Sequence, residues 1–301
     1  MKTNNHHKKS ILICILTLAF ISSFFLNGVQ ARENEISALI EKNLQNSTNL
    51  FAKVAQDLAK IIPDPEKALK EADSQYGPLK KAFHMMHKFY TVSARVNLPK
   101  ISLEVEKKFS NDFFDGFFSE GDNAPELVEK MTALSARMQK QLARKDLNVK
   151  VGILSGGGIM GFAKGGEWIV FTDEMAHWPE DEIAGVIAHE MRHLEKRDFV
   201  KIMLANVLNK KLLAAFPENL QPAYKRLLGL CLNRWQRFFE YETDIQGADL
   251  MIKAGIDPNG LMKVLNRLGD PQKVDPKQYL ILDHPTIEER KASLKRFLSQ
   301  N

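Results

Sequence analysis

Apolar positions recur at helical spacing along most of the chain. Between residues 36 and 62 they include Ile36, Leu39, Ile40, Leu44, Phe51 and Leu58, a stripe that predicts a helix ended by Pro63-Asp64-Pro65. Shorter stripes predict helices over 66–75 and 79–96, closed by Gly77-Pro78 and Pro99. Residues 102–118 are rich in Phe and charge and read as a helix or helical hairpin ending at Gly121-Asp122-Asn123. The segment 126–147 predicts a further helix, with Leu127, Met131, Leu134, Met138 and Leu142 on one face.

The period changes after Asn148. Residues 149–154, 159–163 and 168–172 read as strands, separated by glycines at 156–158 and 165–166, which predicts a small antiparallel meander. Helical spacing then returns over 183–194, 199–216, 223–254, 259–268 and from Pro285 onward. The expected fold class is α+β and mostly helical, with no internal repeat. Gly156, Gly158 and Gly161 share the spacing of a dinucleotide-binding loop, but a strand follows them where that motif needs a helix, so the nucleotide reading fails.

Composition narrows the function classes. With 301 residues and 44% hydrophobic content the chain can bury a substantial core. Its formal charge is +5, but Lys2, Lys8 and Lys9 precede the first acid, and without them the balance is 39 basic to 37 acidic residues. That balance argues against nucleic acid as a partner.

The first 31 residues read as a signal peptide. Lys8 and Lys9 precede an apolar run from Ile11 to Leu26, and Val29-Gln30-Ala31 offers a cleavage site. The run of 16 is short for a spanning helix, and no later stretch is apolar enough to span. Export to the periplasm is expected, the alternative being an uncleaved signal that anchors the chain to the inner membrane. Peripheral association with the membrane is compatible with either. After cleavage Cys231 is the only cysteine, so no internal disulfide can form, and its leucine-rich surroundings mark it as a buried apolar residue. Residues 32–120 are expected to form a helical region of unassigned role, and 121–301 the domain that carries the chemistry.

The chemistry lies at His189-Glu190-Met191-Arg192-His193. On a helix, histidines four apart project from one face and can hold one zinc ion, while Glu190 lies where a carboxylate can take a proton from zinc-activated water. Ile183, Val186, Ile187 and Leu194 supply a buried face, and Pro179-Glu180-Asp181-Glu182 suits a helix N-terminus. His84 and His87 are also spaced for a shared helical face, but no acid accompanies them and the aromatic residues around them favour packing.

Two histidines leave a catalytic zinc one protein ligand short. Glu240 lies 47 positions beyond His193, and Asp244 is one helical turn further on, so both can face the metal. Asp244 then suits a partner that holds a ligating histidine by its other ring nitrogen.

From about Glu126 to Leu298 the chain resembles the zinc metalloendopeptidase family of HtpX, the CAAX prenyl endopeptidase, the OMA-type mitochondrial protease and the periplasmic protease BepA. The likeness rests on Phe162-Ala163 with Gly165-Gly166, the HExxH helix, Arg237 with Glu240 and Asp244, Gly247-Ala248, Ala254 to Pro258, and His284-Pro285 with Glu289-Arg290. It implies a zincin-like fold with the meander over the catalytic helix, one zinc per chain on His189, His193 and Glu240, and Glu190 as general base. It also implies supporting or regulatory roles for Asp244, Arg237, Arg290 and His284, and a substrate-binding edge at Gly161, Phe162 and Ala163. The family's usual Asn-Ala before Phe162 is Met160-Gly161 here, and transmembrane helices like those of HtpX are absent.

The expected function is endoproteolysis of protein or peptide substrates in envelope quality control. The alternative is a chaperone-like binding protein with latent proteolysis, its contact surface the Phe-rich stretch 109–118. His284, extended before Pro285, could then either latch the zinc or stabilise the oxyanion.

Overall fold

The computed structural model describes residues 37–71, 77–114, 125–154, 161–163, 165–269 and 285–300. Residues 37–43 are helical and a tight turn at Gln45–Ser47 interrupts the first stripe, so α1 runs Thr48–Ile61. Helix α2, Pro65–Lys70, starts on Asp64, whose carboxylate accepts from the Lys67 N–H at 2.9 Å, with Pro65 in the first turn where its missing N–H costs nothing. Helices α3 (Gly77–Asn97) and α4 (Leu103–Phe114) follow, then α5 (Pro125–Gln139). The stretch 115–120 lies outside the described residues, so the Phe-rich surface is not described as a whole.

Helix α5 ends at Gln139, eight residues earlier than the stripe to Leu147 predicts. Leu142 and Leu147 are nonetheless buried. The chain between them is held by side chains instead of helical bonds. Gln139 accepts from Val149 N–H at 2.9 Å, and Glu195 accepts from the backbone amides of Ala143 and Arg144. Periodic apolar residues mark burial here without marking helix.

Three strands form one sheet, β1 (Lys150–Leu154), β2 (Gly161–Ala163) and β3 (Trp168–Thr172). Their order is β1-β3-β2, with β1 parallel to β3 and β2 antiparallel to it. The expected antiparallel meander is therefore corrected to a mixed sheet. Burial explains the order. Ile169, Val170, Phe171 and Thr172 are all buried, as a central strand requires, whereas every residue of β2 is half-exposed and suits an edge.

After a short helix α6 (Asp173–Ala176) comes α7, Glu180–Lys196, which carries the HExxH motif. Its first turn holds three acids, favourable at the positive end of the helix dipole. It stops at Arg197, whose left-handed backbone (φ 58°) returns an N–H to the His193 and Leu194 carbonyls. Helices α8 (Asp198–Leu213), α9 (Gln221–Lys253), α10 (Asn259–Leu268) and α11 (Ile287–Leu298) complete the described chain.

The apolar interior has two parts. One joins residues of 40–101 to α8 and to the first half of α9, through side chains such as Tyr90, Leu227, Cys231 and Trp235. The other lies between the sheet, α5, α7, the end of α9 and α10. Helix α9 crosses both, and between its two apolar stretches a buried polar run, Arg237, Glu240, Thr243 and Asp244, faces α7. No helix among the described residues is long and apolar enough to cross a membrane.

Candidate metal centre

Two close helix approaches build the site. At Gly247 a Cβ would lie only 3.3 Å from the backbone nitrogen of His189, so glycine lets α9 run against α7 at the first motif histidine. One turn back along α9, Asp244 then reaches the His189 ring, Nδ1 to Oδ1 at 3.0 Å. Gly185 and Gly260 let α10 approach α7 more closely still, so α7 is packed by both helices.

His189 and His193 present their Nε2 atoms 3.1 Å apart. Glu240 sets Oε2 at 3.5 Å from the first and Oε1 at 3.4 Å from the second. One ligand atom from each residue lies within 4.8 Å of the others, the single such group found among the described residues. The opposite ring nitrogens are both occupied, Nδ1 of His189 by Asp244 and Nδ1 of His193 by Asp198 at 2.9 Å. A carboxylate accepts only, so each Nδ1 carries the proton and each Nε2 turns a lone pair toward Glu240. Three electron-pair donors facing one point have nothing to donate to each other. They fit a cation.

The surroundings reinforce that preference. Burial alone would lower the basicity of His189 and His193, but Asp244 and Glu240 for the first, and Asp198 and Glu240 for the second, overcome it and raise both. Burial would also raise Asp244, yet Arg290 and His189 hold its carboxyl below the ordinary range. The carboxylates thus favour positive charge at the centre of the site.

Glu190 lies beside the histidines, 8% exposed. Burial pushes its carboxyl up, against the pull of His189 and His193 and a lesser pull from the Ala163 backbone N–H. The motif helix packs against β2, where Gly161, Phe162 and Ala163 form the outer edge of the sheet. A Cβ on Gly161 would lie 2.9 Å from Val186 Cγ1, so β2 sits closer to α7 than a larger residue would allow without movement.

Residues 125–298, more than half of the chain, match the model of Peptidase family M48. The chain belongs to that family. Its membership supports metallopeptidase activity, and the match spans α5 to α11 while leaving α1 to α4 outside. No curated protein matches the chain.

Of the M48-like residues expected from sequence, His189, Glu190, His193, Glu240, Asp244 and Arg290 come together. Arg290 grips Asp244 with Nε and Nη2 and places Nη1 3.5 Å from Glu240 Oε2. Arg237 is buried on α9, one turn before Glu240. His284 lies outside the described residues. His87 packs edge-on against Phe238, as the packing reading expects, whereas His84 is exposed. Cys231 is buried, its thiol pushed far up by desolvation. Sequence reading missed Asp198, which holds His193 and is itself bound by Lys201 at 2.6 Å. Its signal was an acid directly after the motif helix, where a helix N-terminus also favours one.

Proposed function

We propose that this protein is a zinc-dependent metalloendopeptidase that cuts protein substrates in the bacterial-type cell envelope. The observation that carries the reading is the convergence of His189, His193 and Glu240 with Glu190 alongside. Zinc held by the three would supply a Lewis acid that polarises a peptide carbonyl and acidifies water.

The chain's own groups do the rest. Glu190 takes the proton from the attacking water and delivers it to the leaving amine nitrogen, so one carboxylate serves as base and then acid. The Ala163 N–H faces the Glu190 carboxyl and favours its charged form, the one that accepts the proton. Asp244 and Asp198 hold the two imidazoles in the tautomer whose Nε2 is free to ligate. Arg290, buried beside Asp244 and Glu240, compensates their charge, since two carboxylates so close together would repel one another. The exposed rim of β2 offers backbone groups to an extended substrate.

The N-terminal pattern of basic, apolar and small residues supports export with cleavage after Ala31, and a periplasmic place of work. Protein quality control is the role such a soluble envelope endopeptidase would fill. Casein digestion by the zinc-loaded protein tests the activity. Cleavage abolished by a chelator and restored by zinc is expected, and no cleavage by fully zinc-loaded protein would contradict the reading. N-terminal sequencing of envelope material tests export, with Arg32 expected first and Met1 contradicting cleavage.

A further inference from the structure

The turn that follows the edge strand beside Glu190 leans on a helix that lies outside the M48 match. Glu106, on α4, is fully buried. Its Oε2 accepts from Arg197 Nε at 2.7 Å, and Arg197 sends its other nitrogens to the Leu98 and Ile101 carbonyls at 3.1 and 2.9 Å. Arg197 is the left-handed residue between α7 and α8, directly before Asp198, which holds His193. The same Glu106 side chain also faces the turn between β2 and β3. Its Cγ is 3.5 Å and its Oε1 3.6 Å from where a Cβ on Gly165 would stand, and that Oε1 is buried against the turn without a hydrogen-bond partner among the described residues.

The next residue grips the same turn from the other end. Lys107 Nζ lies 2.6 Å from Glu167 Oε1 and donates to the Asp146 carbonyl at 3.0 Å. Glu167 in turn accepts from Asn148 N–H at 2.9 Å, and its carbonyl takes the Lys150 N–H at 2.8 Å. Two adjacent side chains of α4 therefore meet this turn, Glu106 lying against Gly165 and Lys107 holding Glu167. Gly165 and Gly166 both have positive φ, at 70° and 58°, so the turn needs a conformation that few residues favour. An arrangement of that kind is sustained by its neighbours.

We propose that Glu106 is a positioning residue of the peptidase. Through the Gly165-Gly166 turn it sets where β2, packed against α7 beside Glu190, stands relative to that helix. Through Arg197 it ties that turn to the end of the motif helix. The N-terminal helices thus complete the cleft instead of only accompanying it. The consequence for turnover rests on the peptidase reading above; the consequence for the strand does not.

The test uses the full zinc-loaded chain with Glu106→Gln, and Glu66→Gln as control. Glu66 also joins the N-terminal helices to α9, by an exposed ion pair with Arg226 that involves none of the turn's residues. Hydrogen exchange of peptides covering 161–168 should accelerate about 5-fold or more in Glu106→Gln, while peptides from α7 keep wild-type protection. Turnover of unfolded casein should fall about 10-fold in kcat at unchanged zinc content, since small misplacements of a reacting group cost that much or more. Glu66→Gln should change neither. Wild-type exchange at 161–168 in Glu106→Gln, or the same losses in Glu66→Gln, would overturn the proposal. If zinc-loaded wild type cleaves nothing, the peptidase reading fails and the exchange result alone decides the positioning role. If Glu106→Gln does not fold, Lys107→Ala should show the same pattern at smaller amplitude, and wild-type exchange there would overturn the proposal too.

Discussion

Arg290 forks onto the carboxylate of Asp244, Nε to Oδ2 at 2.8 Å and Nη2 to Oδ1 at 2.7 Å, and Asp244 is wholly buried. Nothing but this pairing and the His189 ring compensates the buried charge among the contacts described. The fork crosses from α9 to α11, so the last helix of the chain holds the geometry of the first motif histidine. A capping box between Thr286 and Glu289 fixes the start of that helix just before Arg290.

Arg290→Ala should therefore cost stability and metal together. Removing one partner of a buried pair costs about 3–5 kcal/mol, and loss of support for a ligating histidine weakens metal binding about 10–100-fold. Urea unfolding and zinc titration of the variant check this. Wild-type zinc affinity would separate Arg290 from the metal centre.

Two glycines should respond with opposite sign to alanine. Ala is favoured over Gly in a helix by about 1 kcal/mol. At Gly229, on α9, a Cβ meets nothing within 4 Å, so Gly229→Ala should stabilise by roughly that amount. At Gly260 a Cβ would stand 2.0 Å from the Asp181 backbone oxygen, and backbone cannot step aside as a side-chain tip can. Overpacking of that kind costs about 1–3 kcal/mol or more, so Gly260→Ala should destabilise on balance. Thermal unfolding of both variants is the check, and equal shifts would contradict the close packing of α7 on α10.

Glu106 gives a pH signature. Burial raises its carboxyl above 4.5, only partly offset by Arg197. A folded-state pKa above the unfolded one means that the folded protein binds the proton more tightly. The resulting stability is present below pH 4.5 and is lost as pH rises through the folded value. Glu106→Gln removes this dependence. The stability of wild type relative to the variant should consequently decline with rising pH across that window, as read by denaturant midpoints at matched pH. A relative gain with rising pH would mean that Arg197 outweighs burial.

Much of the metal centre was legible because its spacing is local or nearly so. Residues 189 and 193 share one helical face with 190 beside them, 240 and 244 share another, and helical geometry converts such spacing into position. Asp198 was less legible, since its use depends on the chain reversing at Arg197, an unusual left-handed residue with no glycine to announce it. Apolar periodicity identified the helices but overran α5, because Leu142 and Leu147 are buried from irregular backbone. The strands were found and their order was not. Alternation records which face is buried, whereas the insertion of β3 between β1 and β2 depends on which strand is buried on both faces. The support from Glu106 and Lys107 was out of reach, because it joins residues about 60 positions apart through a glycine turn.

The most direct measurement of the central claim is casein cleavage by Glu190→Gln beside wild type, with zinc content determined on the same samples. The amide cannot accept a proton from water, and general-base catalysis contributes about 10²–10⁴ in rate. The expected result is a variant that keeps its fold and its zinc and loses cleavage by at least that order. Wild-type cleavage by zinc-loaded Glu190→Gln would contradict the mechanism outright.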